Sequence, residues 1–408
     1  MVATYDANDP SEDRFDYMLN LDLVPRRVRN SNDNNCSSDR CAVDVVGYTL
    51  SLFGVYDGHG GGDCAQFAQD HLLRTCAAHI AVALDCEVDN FDLGDEALED
   101  ARDARHSSVN KALCTAFVNV DERWMSDIDP DVVQSSCYKG GPWNSGSCAV
   151  VAALLVPEIM DEDGESRRIS EELTSKLYTA HLGDCRAVLF SDDHIDSTDS
   201  NLFLPVVREK IGPYAHLNCC EQLTEDHAAS NKSEQTLVES RCGDSSRAII
   251  TGASGVARVA GSLAVTRALG DAYLKRPDMS FGSYKEHCPF ITCVPEVSCK
   301  VIGVPFSDAV PSQLLCMGTD GIFEKIESNQ SIINEIQSST NQDRSLMNNN
   351  VVVPDQNLSN IVIDHVIENV CSIRDLTKRS FTALKPGRAR RSKHDDMTFM
   401  TIDLSAFL

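Results

Sequence analysis

The stretch VDVVGYTLSLFGVYDGHGG, residues 43–61, carries the reading of the whole chain. Val43 to Tyr56 reads as a β-strand, with a turn signal at Gly47 and a compact apolar end made by Leu52, Phe53, Val55 and Tyr56. Asp57 follows directly, at a strand end where a sheet can hold a carboxylate rigidly. Gly58 then lets the backbone turn tightly, so that a carbonyl can face an ion. Two more acidic stations share this design: Asp320-Gly321 follows the apolar run Leu314 to Met317, and Asp395-Asp396 immediately precedes a last alternating segment, Met397 to Leu404. A single Asp-Gly after a strand is commonly only a turn.

Outward from that stretch, a helix is expected over Cys64, Phe67, Ala68, Leu72, Cys76 and Ile80, which recur at three-to-four spacing, with Asp63 to cap it. Nine acids crowd residues 85–103, which read as a solvated insertion. Val109, Ala112, Leu113, Ala116, Phe117 and Val120 predict a second helix over 107–125. Strands are expected at 147–156, 177–190 and 314–317, short helices at 263–269 and from Ile322, an amphipathic helix at 358–370 and a polar flexible loop at 339–350. Strands thus cluster, with helices between the clusters. That pattern favours an α+β layered fold with antiparallel sheets over a doubly wound parallel sheet. Residues 1–28 read as a flexible N-terminal segment and 29–408 as a single domain with insertions near 85–103, 191–222 and 339–357.

The chain has 408 residues, 42% of them apolar, enough for a sizeable core. Its formal net charge of −26 argues against nucleic-acid or anionic-membrane partners. The opening MVATYDANDPSEDRFDY lacks the apolar core of a secretory signal, so the 17 cysteines are expected as reduced thiols in an intracellular protein of the cytoplasm or nucleus. No apolar run is long enough to cross a bilayer. One local feature stands against the acidic background: Lys385, Arg388, Arg390, Arg391 and Lys393 lead into Asp395. This reads as a docking loop for phosphorylated segments, a nuclear-import patch or a plain solvated loop.

Carboxylates and carbonyls without nearby His or Cys ligands select Mg²⁺, Mn²⁺ or Ca²⁺ over zinc. Two such ions about 3.5–4 Å apart can clamp a phosphate and generate hydroxide near neutral pH. Around the three stations the strings FGVYDGHGG (53–61), GSCAVVAALL (146–155), TAHLGDCRAVL (179–189), LTEDHAASNKSE (223–234), GSLAVTRALGD (261–271), PEV (295–297), GTDGIF (318–323) and HDDMTFMTI (394–402) fall in one order. Together they resemble the PP2C-type, or PPM, metal-dependent protein serine/threonine phosphatases over about residues 29–403. The resemblance implies a central antiparallel β-sandwich flanked on both faces by antiparallel helix pairs, a four-layer α/β/β/α arrangement with a metal centre at one end. It implies two, or three, Mg²⁺ or Mn²⁺ ions: Asp57 bridging two of them with the carbonyl of Gly58, Asp320 and Asp395 completing a shell, and Asp184 holding a third with Asp320. Glu324 stands four positions after Asp320, where the family often has Asp, and is a candidate metal ligand in its place. His59 would protonate the serine alkoxide that leaves.

The chain departs from the family in two places. Arg29 and Asp33 keep the spacing of the N-terminal Arg–acid motif, but Asn34 follows where a second acid is usual, so Arg29 is a candidate phosphate grip, with Arg26 and Arg27 as alternatives, and Asp33 a candidate metal contact. Asp396 replaces a usual Asn. The function implied is hydrolysis of phosphoserine and phosphothreonine in protein substrates by a metal-activated water, without a phosphoenzyme, by a monomer. The rival is a catalytically weak phosphatase-like protein that binds and regulates without turnover.

Overall fold

The computed structural model describes residues 1–25, 45–101, 107–135, 141–160, 166–167, 174–192, 214, 216–253, 255–302, 312–347 and 357–408. The strands, in chain order, are β1 (Val2–Tyr5), β2 (Arg14–Pro25), β3 (Val45–His59), β4 (Cys86–Val88), β5 (Gly146–Met160), β6 (Ser166–Arg167), β7 (Lys176–Leu182), β8 (Arg186–Ser191), β9 (Cys219–Gln222), β10 (Ile249–Thr251), β11 (Ala257–Val259), β12 (Leu269–Gly270), β13 (Glu296–Val301), β14 (Leu314–Gly318) and β15 (Met397–Asp403). The helices used below are α1 (Asp63–Ala83), α2 (Asp95–Asp100), α3 (Val109–Ser126), α4 (Ala272–Lys275), α5 (Asp320–Phe323), α6 (Asn329–Met347), α7 (Leu358–Ile373) and α8 (Arg388–Arg391). The ladders between these strands are antiparallel, and helices line both units, so the class is α+β as expected.

The chain divides into two compact units that alternate along the sequence: Met1–Arg14, Asp184–Glu225 and Asp308–Leu408 form one, Phe15–Gly183 and Asp226–Ser307 the other. The second, larger unit is built on the sheet order β13-β7-β5-β3-β2-β4. Its backbone is the long pairing of β3 with β5, which runs without interruption from Val45↔Met160 to His59↔Gly146. Gly47, read as a turn, is paired with Glu158 inside that ladder. A glycine costs a strand about 1 kcal/mol or less, and the apolar residues around it outweigh that. Against this sheet α1 lays Cys64, Ala65, Ala68, Leu72, Leu73 and Cys76, all buried, while α3 adds Leu113, Ala116 and Phe117. Each buried Leu or Phe contributes roughly 1.5–3 kcal/mol. Asp63 is the first residue of α1 rather than its cap, which is Gly62, and its carboxylate sits in the first turn, where the helix dipole favours it.

Two expectations for this unit are corrected. The acidic stretch 85–103 is no mere insertion: Leu23, Val24 and Pro25 of β2 pair with β4, and Leu93, Ala97 and Ala101 are buried in the core. Its acids occupy the outer positions, and the apolar residues between them set the structure. Residues 263–269 are not helical but extended, with bridges Val259↔Leu263, Ala228↔Val265 and Arg267↔Thr292 before β12.

In the other unit the sheet order is β1-β15-β14-β8-β9. Ile332, Ile333 and Ile336 of α6 and Ile361, Val362, Val366 and Ile367 of α7 pack on Val188, Phe190, Leu314, Cys316 and Phe399. The start of the chain, expected as a flexible segment, forms β1, which pairs with β15 from Val2↔Met400 to Tyr5↔Met397. Residues 339–347, read as loop, continue α6, whose apolar stripe at 332, 333 and 336 nucleates the helix that the polar residues then extend. The remainder of that loop reading, and residues 193–213 of the insertion expected near 191–222, lie outside the described residues.

Every described cysteine is a free thiol. Among the described residues no helix is long and apolar enough to cross a membrane.

Candidate active site

His59 closes β3, directly opposite Gly146 at the start of β5. The other edge of Gly146 is taken by Gly270, through the short pairing of β12 with β5. Asp271 therefore emerges beside Gly146 from one side and His59 from the other, and Nε2 of His59 lies 2.7 Å from Oδ2 of Asp271. The His59 side chain is 25% exposed and that of Asp271 only 1%, so the pair presents an imidazole to solvent with its orienting carboxylate beneath it. Gly146 is what permits this: a Cβ there would overlap both Oδ2 of Asp271 and Nε2 of His59.

Asp271 holds a left-handed conformation, φ 50 and ψ 45, that is uncommon outside glycine. Neighbours fix it there. Its N–H donates to the carbonyl of Ser145 at 2.9 Å. On the preceding residue, the Gly270 N–H donates to Oδ1 of Asp121 at 2.7 Å. Four residues on, Lys275 Nζ reaches the same carboxylate at 2.7 and 2.8 Å and also donates to the carbonyl of Ala268. Both members of the Lys275–Asp121 pair are buried, 7% and 3% exposed. Burial would depress the Lys275 ammonium, but the Asp121 charge more than offsets it and the group is held above its ordinary range. A buried, multiply bonded ion pair thus clamps both ends of the Ala268–Lys275 turn.

Asp57 precedes this pair in β3, opposite Cys148, and Gly58 lies opposite Ser147. In the other unit, Asp184 stands in the turn before β8 and Asp320 opens α5 after β14. The carboxylates of Asp184 and Asp320 come within 4.8 Å of one another. Two carboxylates at that range repel unless a cation or protons lie between them, and an all-oxygen donor set suits a hard divalent cation. Gly183, immediately before Asp184, has φ +84, and a Cβ on it would overlap Cys148.

Asp395 stands immediately before β15. Its carboxylate is gripped by Arg391, one helical turn earlier, and also accepts from the Asp396 N–H at 2.8 Å. Asp396, the unusual second acid, ties down the start of the chain. It accepts from the N–H groups of Asn8 and Glu12 at 2.9 Å each, from Ala7, and from the Asn8 side chain at 2.9 Å. Burial would raise its carboxyl, yet these donors outweigh burial and hold it below the ordinary range. The neighbouring Asp13 shows the opposite balance. Burial, then the Asp396 charge, push its carboxyl well above the ordinary range, although the Thr319 hydroxyl donates to it at 3.0 Å.

Glu324, proposed as a metal-side acid, ends α5 with its side chain 61% exposed and paired with Lys325 at 3.0 Å. Arg29 and Asp33, with Arg26 and Arg27, lie outside the described residues. Within the basic segment, Arg390 is no docking residue. It is 9% exposed, stacks over Tyr5 at 4.7 Å, and donates to the carbonyls of Leu384 (2.9 Å from Nε) and Asp6 (2.6 Å from Nη1). Arg388 remains exposed.

Comparison with known proteins agrees with this arrangement of motifs. The family model for protein phosphatase 2C matches residues 47–371. Among curated relatives, "Probable protein phosphatase 2C 43" of Oryza sativa subsp. japonica is 24% identical over 377 residues, 90% of this chain and 74% of that protein. "Probable protein phosphatase 2C 25" of the same organism is 25% identical over 73% of this chain and 61% of its own length. The chain spans only 47% of a third, "Probable protein phosphatase 2C 32", at 23% identity. Among solved structures, a serine-threonine phosphatase 2C from Toxoplasma gondii covers 99% of both chains at 14% identity and a TM-score of 0.49.

Proposed function

Because the chain belongs to the protein phosphatase 2C family, we propose that it hydrolyses phosphoserine and phosphothreonine in protein substrates by direct attack of water, with no phosphoenzyme. The observation that carries this reading is the approach of the Asp184 and Asp320 carboxylates to within 4.8 Å, on two motifs of the family. In the smaller unit Asp184 and Asp320 would hold a divalent ion, and so would Asp395 if Arg391 yields its grip; in the larger unit Asp57 and the carbonyl of Gly58 are the proposed ligands. Mg²⁺ or Mn²⁺ held by such residues would supply charge neutralisation at the phosphoryl group and a more acidic coordinated water.

The chain's own part is proton delivery. As water attacks phosphorus, the bond from phosphorus to the serine or threonine oxygen breaks, and that oxygen must gain a proton. His59 supplies it. Its Nε2 is engaged by Asp271, so the proton leaves from Nδ1. Asp271 is a positioning residue, holding the ring in one tautomer and one orientation, as a buried carboxylate does for a catalytic imidazole.

The test is release of phosphate from phosphoserine, phosphothreonine and phosphotyrosine peptides, and of p-nitrophenol from its phosphate ester, with Mn²⁺ or Mg²⁺ added. Metal-dependent turnover that chelation and Asp57→Asn each abolish supports the proposal. A folded protein that releases nothing from any substrate with either metal leaves the binding-protein reading in its place.

A further inference from the structure

On the larger unit's edge strand, a second set of metal-ligating side chains converges that shares nothing with the aspartate stations. His181, near the end of β7, is the direct cross-strand partner of Glu296, the first residue of β13. His227, from the segment after the alternation point at 226, stacks on His181 with ring centroids 4.4 Å apart and planes 8° from parallel. One ligand atom from each of the three side chains lies within 4.8 Å of the others. Both histidines are 2% exposed, while the Glu296 side chain is 55% exposed.

We propose that His181, His227 and Glu296 bind one divalent transition-metal ion of zinc's character. Two imidazoles with one carboxylate are a donor set for Zn²⁺ and its neighbours, not for the hard cations that suit carboxylates alone. The spacing fits. Ligands about 2.0–2.1 Å from one ion at tetrahedral angles stand about 3.4 Å apart, and Nε2 of His227 is 3.4 Å from Oε2 of Glu296. That separation is long for a hydrogen bond between such groups.

The scaffold is rigid where it must be. The His227 N–H donates to the Gly183 carbonyl at 2.9 Å, and its own carbonyl accepts from the N–H and hydroxyl of Thr266 at 2.8 and 3.0 Å. The nearby cation, Arg267, is already matched by Glu234 at 2.5 Å, so its charge does not stand unopposed beside the imidazoles. The exposed Glu296 gives an entry path and leaves room for a water as fourth ligand. Ligation turns one ring out of the parallel stack, because an ion bound to an imidazole nitrogen lies in that ring's plane. The ion would tie β7, β13 and the 227 segment together.

The test uses the full chain, stripped with chelator and carrying Asp57→Asn and Asp320→Asn, so that the aspartate stations do not contribute. Zn²⁺ is titrated against a chromophoric chelator in millimolar Mg²⁺, and Co²⁺ replaces it for visible absorption. The expected result is one Mg²⁺-resistant Zn²⁺ per chain, a Co²⁺ band of four- or five-coordinate intensity, and weakening of at least about tenfold by Glu296→Gln and by His181→Gln. Glu296→Gln is at an exposed position and keeps the test open if a histidine variant fails to fold. Absence of Mg²⁺-resistant Zn²⁺, or equal affinity in the parent and Glu296→Gln, overturns the proposal. Neither outcome depends on turnover, so this result stands apart from the phosphatase assay.

Discussion

Nε2 of His59 and Oδ2 of Asp271, 212 residues apart in sequence, meet at 2.7 Å across the bare backbone of Gly146. The contact requires a strand end, a glycine and a strained turn to coincide, which makes Asp271 the most informative residue to change. Asp271→Asn keeps the shape but presents an amide in place of the carboxylate, so the ring loses its fixed tautomer. Phosphopeptide turnover is expected to fall by about 10²-fold through kcat. On p-nitrophenyl phosphate, whose leaving group needs no proton, the loss is expected to be within a few-fold. Equal losses on both substrates would reduce Asp271 to a folding role.

Gly146→Ala attacks the same contact from the backbone side. Its Cβ would overlap both partners of the pair, and neither can retreat far, since Asp271 is clamped by the Asp121–Lys275 bridge. The variant should match Asp271→Asn on phosphopeptides and lose about 1–3 kcal/mol of stability through overpacking. Urea unfolding and a phosphopeptide assay on the same preparation check both parts.

His79 predicts the acid limb of stability. It is fully buried in α1 beside Asn119, and burial, only partly countered by the Asp100 charge, lowers its pKa to about 4. The unfolded chain, with its histidine near 6.5, binds the proton first, so stability contributed by the neutral ring is full above about pH 6.5 and drains away as pH falls towards 4. Between pH 7 and pH 5 that amounts to about 2 kcal/mol. His79→Gln should remove that part of the slope in urea unfolding measured at the two pH values. An unchanged slope would show that the ring is not the group responsible.

The basic segment divides into structural and surface arginines. Arg390→Ala removes a buried guanidinium that satisfies the carbonyls of Leu384 and Asp6 and covers Tyr5, and should cost about 2–4 kcal/mol. Arg388→Ala, on the exposed face of α8, should stay within about 0.5 kcal/mol of the parent. If Arg388→Glu with Lys385→Glu lowers activity on acidic phosphopeptides but not on p-nitrophenyl phosphate, the surface portion steers substrate.

What could be read in the sequence is what neighbouring residues determine. The helix stripes of 64–80 and 109–120 and the closing alternation at 397–404 are local patterns, and each became the element expected; Asp57, Gly58 and His59, read as leaving the strand in a tight turn, stay in the β3 ladder, and the turn falls at Gly60 and Gly61. Asp271 stands in the sequence only as the last letter of a string, because its value lies in a left-handed turn and in the pairing of the preceding Gly270 with the distant Gly146, and no periodicity encodes either. The stretch 85–103 misled through its acids: charge marks the outer face of α2 and says nothing of Leu93 and Ala97 beneath it. Asp395 and Asp396 look alike in sequence, yet one is held by Arg391 and the other by the backbone of residues 7–12. Only a neighbour brought from the far end of the chain separates them.

In the smaller unit's sheet, β1 pairs with β15, and β15 also pairs with β14. During synthesis, β1 therefore has no edge to join until β15, which ends at residue 403, has left the ribosome. The strands of the larger unit, all made by residue 301, are under no such delay. A chain stalled before β15 could still pair β14 with β8 and β8 with β9, but would leave β1 an unmatched strand for a chaperone or a protease to meet.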